Sequence, residues 1–137
     1  MRVYVSAPRS MRVEAGSMAA LIEMSVPGAV VSPRWWETIT GTGTDSGMSS
    51  DDALAMAEEQ AAAVLASDVL VYLGALRGAG QGTCVELGMA IAAQRLQESP
   101  LVIGVGHYES QCIFHRLTTL WVSTWEDVIE ALTSGDT

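Results

Sequence analysis

Short apolar runs alternate along this chain with longer segments in which apolar residues recur at helical spacing. Strands that alternate with helices predict a parallel sheet, covered by helices on both faces and joined by right-handed crossovers. The chain is therefore predicted to be an α/β protein. The predicted strands are Arg2–Ser6, Ala29–Ser32, Val69–Leu73, Leu101–Val105 and Leu120–Val122.

Apolar spacing and capping residues predict four helices. They run from about Met11 to Met24, from Ser50 to about Ala66, from Thr83 to about Gln97, and onward from Thr124. The stretch 34–50 is rich in glycine and has no periodicity, which is typical of a binding loop or lid. We expect one domain over residues 1–137, because 49% of the chain is apolar and no linker or repeat interrupts it.

Charge and cysteine content exclude several classes of protein. The net charge is −9 and all seven basic residues are arginines, which argues against a groove for duplex nucleic acid. Cys84 and Cys112 lack the spacing of a metal site, and neither His107 nor His115 pairs with a carboxylate in such a pattern. We therefore expect no metal and no cofactor. The absence of a leader peptide or membrane-length apolar run predicts a cytoplasmic protein.

A glycine-rich segment between the third strand and its following helix is the candidate site. It runs Gly78-Ala79-Gly80-Gln81-Gly82-Thr83-Cys84-Val85-Glu86. Phosphates and sugars bind in α/β proteins where a strand's carboxyl end faces a helix N-terminus. No lysine follows the glycines, so the segment is not a phosphate-binding P-loop.

Glu86 supports two interpretations. Thr83 and Glu86 have the spacing of a capping box, in which each side chain bonds the backbone N–H of the other residue. Alternatively, Glu86 is a carboxylate nucleophile above the strand ends. The helix dipole would help to keep it ionised, by about 0.3–1 kcal/mol.

Several motifs resemble the nucleoside 2-deoxyribosyltransferase-like superfamily, which includes deoxynucleoside 5′-monophosphate N-glycosidases. The motifs are Tyr4-Val5-Ser6-Ala7-Pro8, Ser67-Asp68-Val69-Leu70-Val71 and Gly82-Thr83-Cys84-Val85-Glu86-Leu87-Gly88-Met89-Ala90, with Ser32-Pro33-Arg34-Trp35 and Ile113-Phe114-His115-Arg116-Leu117 similar to an uncharacterised branch. The resemblance implies a flavodoxin-like, Rossmann-like sheet of five parallel strands in the order 2-1-3-4-5. It also implies that Glu86 attacks the anomeric carbon of a nucleoside, with Tyr4 orienting it.

The resemblance leaves the general acid open. Cleaving an N-glycosidic bond requires one group that stabilises the sugar cation and another that protonates the departing base. Family members usually carry a second carboxylate at the position of Gln60. Glu59 is adjacent, but at about 100° per residue it is expected to point away. Asp68, Asp45, Asp51 or the substrate itself remain candidates for the acid.

The remaining candidates concern substrate binding. Arg9 and Arg12 are placed either to hold a 5′-phosphate or to be solvated surface charges. Trp35 and Trp36 are expected either to stack a base, worth about 1–3 kcal/mol, or to belong to the core. The full set of predicted binding residues is Ser6, Arg9, Arg12, Trp35, Gly80, Gly82, Thr83, Phe114 and His115.

Two alternatives to this function remain. The segment from Gly80 to Glu86 is also similar to the GxGTxxE signature of lonely-guy-type phosphoribohydrolases, which release a base from nucleoside monophosphates. Gln60, in place of a carboxylate, favours a non-catalytic module that senses a nucleotide or nucleotide-sugar. Each interpretation takes a nucleoside or nucleotide as its partner.

The helix that carries Glu86 is apolar on nearly all faces. A helix of this kind is usually buried on two sides. We therefore expect a homodimer or higher homo-oligomer that buries its outer face, with the loop around Phe114 and His115 reaching a neighbouring site.

Overall fold

The chain folds around a five-stranded, all-parallel sheet with the order β2-β1-β3-β4-β5. A computed structural model describes residues 1–38, 48–74, 81–106 and 113–135. The α/β class and the predicted strand order are both confirmed. The strands are β1 (Arg2–Ser6), β2 (Val30–Val31), β3 (Val69–Tyr72), β4 (Leu101–Val105) and β5 (Leu120–Val122).

Helices cover both faces of this sheet. Helices α1 and α5 pack on one face, and α3 and α4 pack on the other. The helices are α1 (Arg12–Ser25), α2 (Trp35–Thr38), α3 (Ser50–Ala66), α4 (Gln81–Gln97) and α5 (Trp125–Thr133), with 3-10 segments at Arg9–Met11 and Ile113–Leu117. In the part of the chain that the structure describes, no helix is long and apolar enough to cross a membrane.

The side chains of β1 alternate between the two faces of the sheet, as they must in a strand. Val3 and Val5 join the core under α1 and α5. Tyr4 joins the core under α3 and α4, and Ser6, two residues further on, lies on the same side of the strand. Because β1 lies second in the sheet order, between β2 and β3, it carries Tyr4 and Ser6 into the buried interior.

A short helix stands at the beginning of the predicted long loop. Trp35, in α2, is only 7% exposed, and its indole Nε1 donates a hydrogen bond of 2.8 Å to the carbonyl oxygen of Val5. Trp36 contacts it edge to face, with ring centroids 5.7 Å apart. Trp35 is therefore part of the core and fastens α2 to the end of β1. The glycine-rich remainder of the predicted loop, 39–47, lies outside the described residues.

The packing of β4 against β5 depends on one glycine. Gly104 pairs with Trp121 in the parallel register, and the Trp121 indole lies directly over it. A Cβ atom at Gly104 would lie 2.4 Å from the Trp121 ring, which is closer than real Cβ contacts. This strand contact leaves no room for a side chain.

We predict that Gly104→Ala lowers the free energy of unfolding by about 1–3 kcal/mol, because the added methyl forces the Trp121 ring or the strand to move. The matched control is Gly88→Ala in α4, where the added Cβ meets no atom within 4 Å. This change should raise stability by about 0.5–1 kcal/mol through helix propensity. Urea denaturation checks both; equal stability of the two variants would contradict the packing account.

Candidate active site

Glu86 directs its carboxyl group toward β1 rather than toward the start of its own helix. The hydroxyl groups of Tyr4 and Ser6 lie beside it and favour its ionised form. Tyr4 Oη, Ser6 Oγ and Glu86 Oε2 are all buried, and none meets full hydrogen-bond geometry with any described residue, although both hydroxyls lie close enough to Glu86 to favour its anion. Buried polar atoms normally have partners, so three such atoms together mark a site prepared for a ligand or for a small closing movement.

This direction overturns the predicted capping box. Helix α4 begins at Gln81, so Thr83 lies inside its first turn and cannot be the N-cap residue. Thr83 is also buried, with 3% of its surface exposed. The glycine-rich sequence lets the helix start earlier than the apolar periodicity indicated. The Glu86 carboxyl group is consequently available to the site.

Burial controls the charge of the Glu86 carboxyl group. Removal from water raises its pKa from 4.5 to about 7, and the Tyr4 and Ser6 hydroxyls limit the rise by favouring the anion. Burial, followed by the negative charge of Glu86, also raises the pKa of Tyr4 far above its ordinary value. The Tyr4 phenol therefore stays protonated at any physiological pH. Toward the Glu86 carboxylate it can act only as a hydrogen-bond donor.

A cavity of about 240 Å³ lies between α3 and α4, with Glu86 in its wall. Arg9 also lines it, and an Arg9 Nη2 hydrogen is directed at Met56 Sδ, 3.8 Å away. The cavity thus combines the Glu86 carboxyl group and the Arg9 guanidinium with a mainly apolar wall. The other lining residues are Met48, Ala53, Met56, Ala57, Gln60, Ala61, Gly82, Val85 and Met89.

A second cavity, of about 210 Å³, adjoins the first on the other side of α3. Met56 and Gln60, one helical turn apart, line both cavities and form a ridge between them. Glu59 lines the second cavity together with Gln60, and it is not among the residues that line the Glu86 cavity. Trp35 and Thr38 of α2 line the opposite wall.

The structure brings some of the predicted residues together around Glu86. Tyr4 and Ser6 lie behind Glu86, while Arg9, Gln60 and Gly82 share its cavity. Trp35 lines the adjoining cavity. Gly80 lies outside the described residues, as do Asp45, His107 and Cys112.

Asp68 lies at the amino ends of the strands, opposite the end of the sheet where Glu86 lies. It precedes β3, and its Oδ2 accepts a hydrogen bond of 2.7 Å from the backbone N–H of Arg2, at the beginning of β1. The length of a four-residue strand, roughly 13 Å, separates this end of the sheet from the end where Glu86 lies. The predicted catalytic role of Asp68 is therefore contradicted: this carboxylate ties together the amino ends of β1 and β3.

Three further predicted binding residues line neither cavity. Arg12 is exposed in the first turn of α1, and Phe114 is 61% exposed. His115 is buried, with its Nε2 3.1 Å from the Tyr72 hydroxyl and its ring 5.8 Å from the Trp121 ring. Burial lowers the pKa of His115, which keeps it neutral. In this chain His115 is a packing residue rather than part of the cavity.

Met56 lines both cavities but was not predicted as a site residue from the sequence. Met56 lies four residues before Gln60, so helical spacing alone places it on the same face. No spacing in the sequence indicates that Glu59 lines the second cavity, because that cavity is formed by the packing of α2. Within the described ranges, no cluster of three histidine, cysteine or acidic side chains is arranged to hold a metal ion.

Comparison with solved structures supports the fold over nearly the whole chain. The structure is similar to a CMP N-glycosidase, BcmB, from Clostridium botulinum, with a TM-score of 0.58, 14% identity, and 96% of this chain and 97% of that chain covered. It is also similar to a conserved protein from Enterococcus faecalis V583, with a TM-score of 0.64, 20% identity and 96% of each chain covered. These likenesses establish a shared fold. No family model matches the sequence, and no curated protein matches it either.

We predict that Glu86→Gln stabilises the protein above neutral pH. The folded state holds the Glu86 proton up to about pH 7, whereas the unfolded chain releases it near pH 4.5. The stability that this residue contributes is complete below the lower value and is lost as pH rises through the higher one. At about pH 8 the variant should therefore gain on the order of 3 kcal/mol over the natural protein.

Thermal melting at several pH values checks this expectation. The control is Glu58→Gln, which removes an exposed carboxylate from α3 outside both cavities. A difference between Glu86→Gln and the natural protein that does not grow between acidic and alkaline pH would show that the carboxyl group is not buried as described.

Proposed function

We propose that this protein cleaves the N-glycosidic bond of a nucleoside or nucleoside 5′-monophosphate, with Glu86 as the nucleophile. The observation that carries the proposal is the buried Glu86 carboxyl group, flanked by two unpartnered hydroxyls and exposed on one side to a cavity. The fold shared with a CMP N-glycosidase supports the choice of bond. The motif around Glu86 supports the choice of residue.

In the first step, an ionised Glu86 oxygen attacks the anomeric carbon. The carbon–oxygen bond forms as the carbon–nitrogen bond breaks, and the electron pair leaves with the base, which takes up a proton. In the second step, water attacks the anomeric carbon of the glycosyl–enzyme ester, which restores the Glu86 carboxylate and leaves a hydroxyl on the sugar. The proton given up by this water replaces the one that the base took from the solvent. An acceptor base in place of water would give transfer instead of hydrolysis.

Tyr4 and Ser6 act as positioning residues in this mechanism. Both are almost completely buried, and both present hydroxyl groups to the carboxylate. Since Tyr4 stays protonated, its hydrogen can bond the buried oxygen and hold the other oxygen toward the sugar. A fixed orientation of this kind lowers the entropy cost of reaching the transition state.

Arg9 is the residue we propose for the 5′-phosphate. It is a guanidinium in the wall of the Glu86 cavity, with its Nη2 3.8 Å from Met56 Sδ. A charge-assisted contact would offset part of the repulsion between a phosphate and a protein of net charge −9. We place the protein in the cytoplasm, where nucleotides occur and where an exposed thiol such as Cys84 stays reduced.

We predict that Glu86→Gln abolishes base release, by roughly a thousandfold or more, because an amide cannot supply the negative charge that the anomeric carbon requires. For the natural protein, kcat/KM should rise with pH and level off above about 7, as Glu86 loses its proton. The measurement is release of free base from ribo- and deoxyribonucleotides, with and without an acceptor base.

The control variant is again Glu58→Gln, which should release base at the natural rate. Unchanged turnover in Glu86→Gln would remove Glu86 from the mechanism. Nucleotide binding without turnover, with only affinity altered in Glu86→Gln, would identify a sensor. Activity restricted to ribonucleoside monophosphates would favour the lonely-guy-type reaction.

We also propose that the protein forms a homodimer through the outer faces of α3 and α4. These helices expose large apolar side chains: Leu54 is 59%, Leu65 50%, Val85 61% and Leu96 88% exposed. Apolar side chains grouped on neighbouring helices mark interaction surfaces more often than isolated ones do. The same helices border the Glu86 cavity, so a partner on this face would cover its opening.

We predict that Leu96→Glu converts the dimer to a monomer, because a charge in an apolar interface is left unpaired. Met24→Glu is the matched control, since Met24 is 84% exposed on α1, at the opposite face of the sheet. Analytical ultracentrifugation at micromolar concentration separates the outcomes. A monomeric natural protein, or equal effects of both substitutions, would contradict this interface.

A further inference from the structure

We infer that Glu59 selects substrates whose base carries an exocyclic amino group, and that the base occupies the cavity between α2 and α3. The inference rests on the proposed function and names the substrate class of the same site. It depends on the geometry of the two cavities and on the charges that line the second one.

The path of the reaction places the base in this second cavity. A leaving group departs from the side opposite the nucleophile. Glu86 attacks from α4, so the base must extend toward α3 and past the ridge of Met56 and Gln60. The space on the far side of this ridge is the 210 Å³ cavity that Glu59 lines.

The other charged groups of this cavity already have partners. Arg34 Nε donates to Glu37 Oε1 at 2.8 Å, and Arg34 Nη1 contacts Glu23 Oε1 at 3.2 Å. The Arg34 guanidinium also lies 5.4 Å from the centre of the Trp36 ring. Its charge is therefore shared among two carboxylates and an aromatic face.

Glu59 differs from these groups because it has neither an ion pair nor a hydrogen bond with any described residue. Its charge is also felt inside the site, since it adds to that of Glu86 in raising the pKa of Tyr4. Glu59 is thus an uncompensated carboxylate on the wall that the departing base must pass.

An ionised carboxylate only accepts hydrogen bonds. It matches the amino group of cytosine or adenine and opposes the carbonyl oxygen that replaces it in uracil or hypoxanthine. The Gln60 amide beside it both donates and accepts, so it serves either kind of base. Discrimination between amino and keto bases therefore falls to Glu59.

The test compares base release from two substrate pairs: cytidine with uridine 5′-monophosphate, and adenosine with inosine 5′-monophosphate. The natural protein should prefer the amino member of a pair that it accepts. Glu59→Gln should lower this preference by roughly tenfold, the size of one hydrogen bond to a charged group, with the change mainly in KM. Glu58→Gln should keep the natural preference.

A natural preference for the keto member would overturn the inference, and so would a preference that Glu59→Gln leaves unchanged. An equal fall of kcat on both members would also overturn it, since that result identifies Glu59 as a proton donor instead.

Calorimetric binding separates this inference from the proposed function. If no substrate is cleaved, the proposed function fails, but the affinities of the same nucleotides for natural and Glu59→Gln protein still report on Glu59. Tighter binding of amino nucleotides that is lost in the variant would support the inference. Equal or absent binding would overturn it.

Discussion

The burial of the Glu86 carboxyl group against strand β1 shapes this site. Glu86 on α4 meets Tyr4 and Ser6 on β1, and removal from water brings its pKa to about 7. A buried carboxylate of this kind costs stability, and the surrounding apolar core offsets that cost. The packing of α4 on Tyr4, Leu70 and Val102 supplies part of this core. The chemistry and the stability of the protein are thus coupled through a single side chain.

Helix α3 organises the space in front of that carboxyl group. Among its described residues only Val64 is fully buried, so most of the helix stands over the site rather than inside the core. One ridge, Met56 and Gln60, separates a space beside Glu86 from a space beside α2. In the proposed reaction, the sugar lies on the Glu86 side of this ridge and the base extends toward the other side. Gln60 stands at this boundary, and because its amide is not an acid, the proposed reaction needs another proton donor for the base.

The fold of this protein does not by itself identify its function, and the proposed function depends on the site. Similarity to solved structures at 14% and 20% identity establishes the topology over nearly the whole chain. A topology of this kind serves many reactions, so it does not identify one. The proposed function depends instead on three unpartnered buried oxygens, the cavity beside them and the arginine in its wall.

The sequence alone determined the local features of this protein. Alternation along β1 set Tyr4 and Ser6 on one side of a strand, and the spacing of apolar residues located the helices within a few residues. The motifs that resemble the superfamily implied the strand order and a functional role for Glu86. These features depend on near neighbours in the chain, which a sequence displays directly.

Only the tertiary structure decided which groups meet. Asp68 precedes strand β3, whereas Glu86 lies in the helix that follows it. The two side chains therefore lie at opposite ends of the strands. Glu86 bonds neither Thr83 nor its own helix start, because α4 begins earlier and β1 offers two hydroxyls. Glu59 lines a cavity since α2, fastened by Trp35 to β1, packs opposite it. Each outcome depends on contacts between residues distant in the chain, which no local pattern specifies.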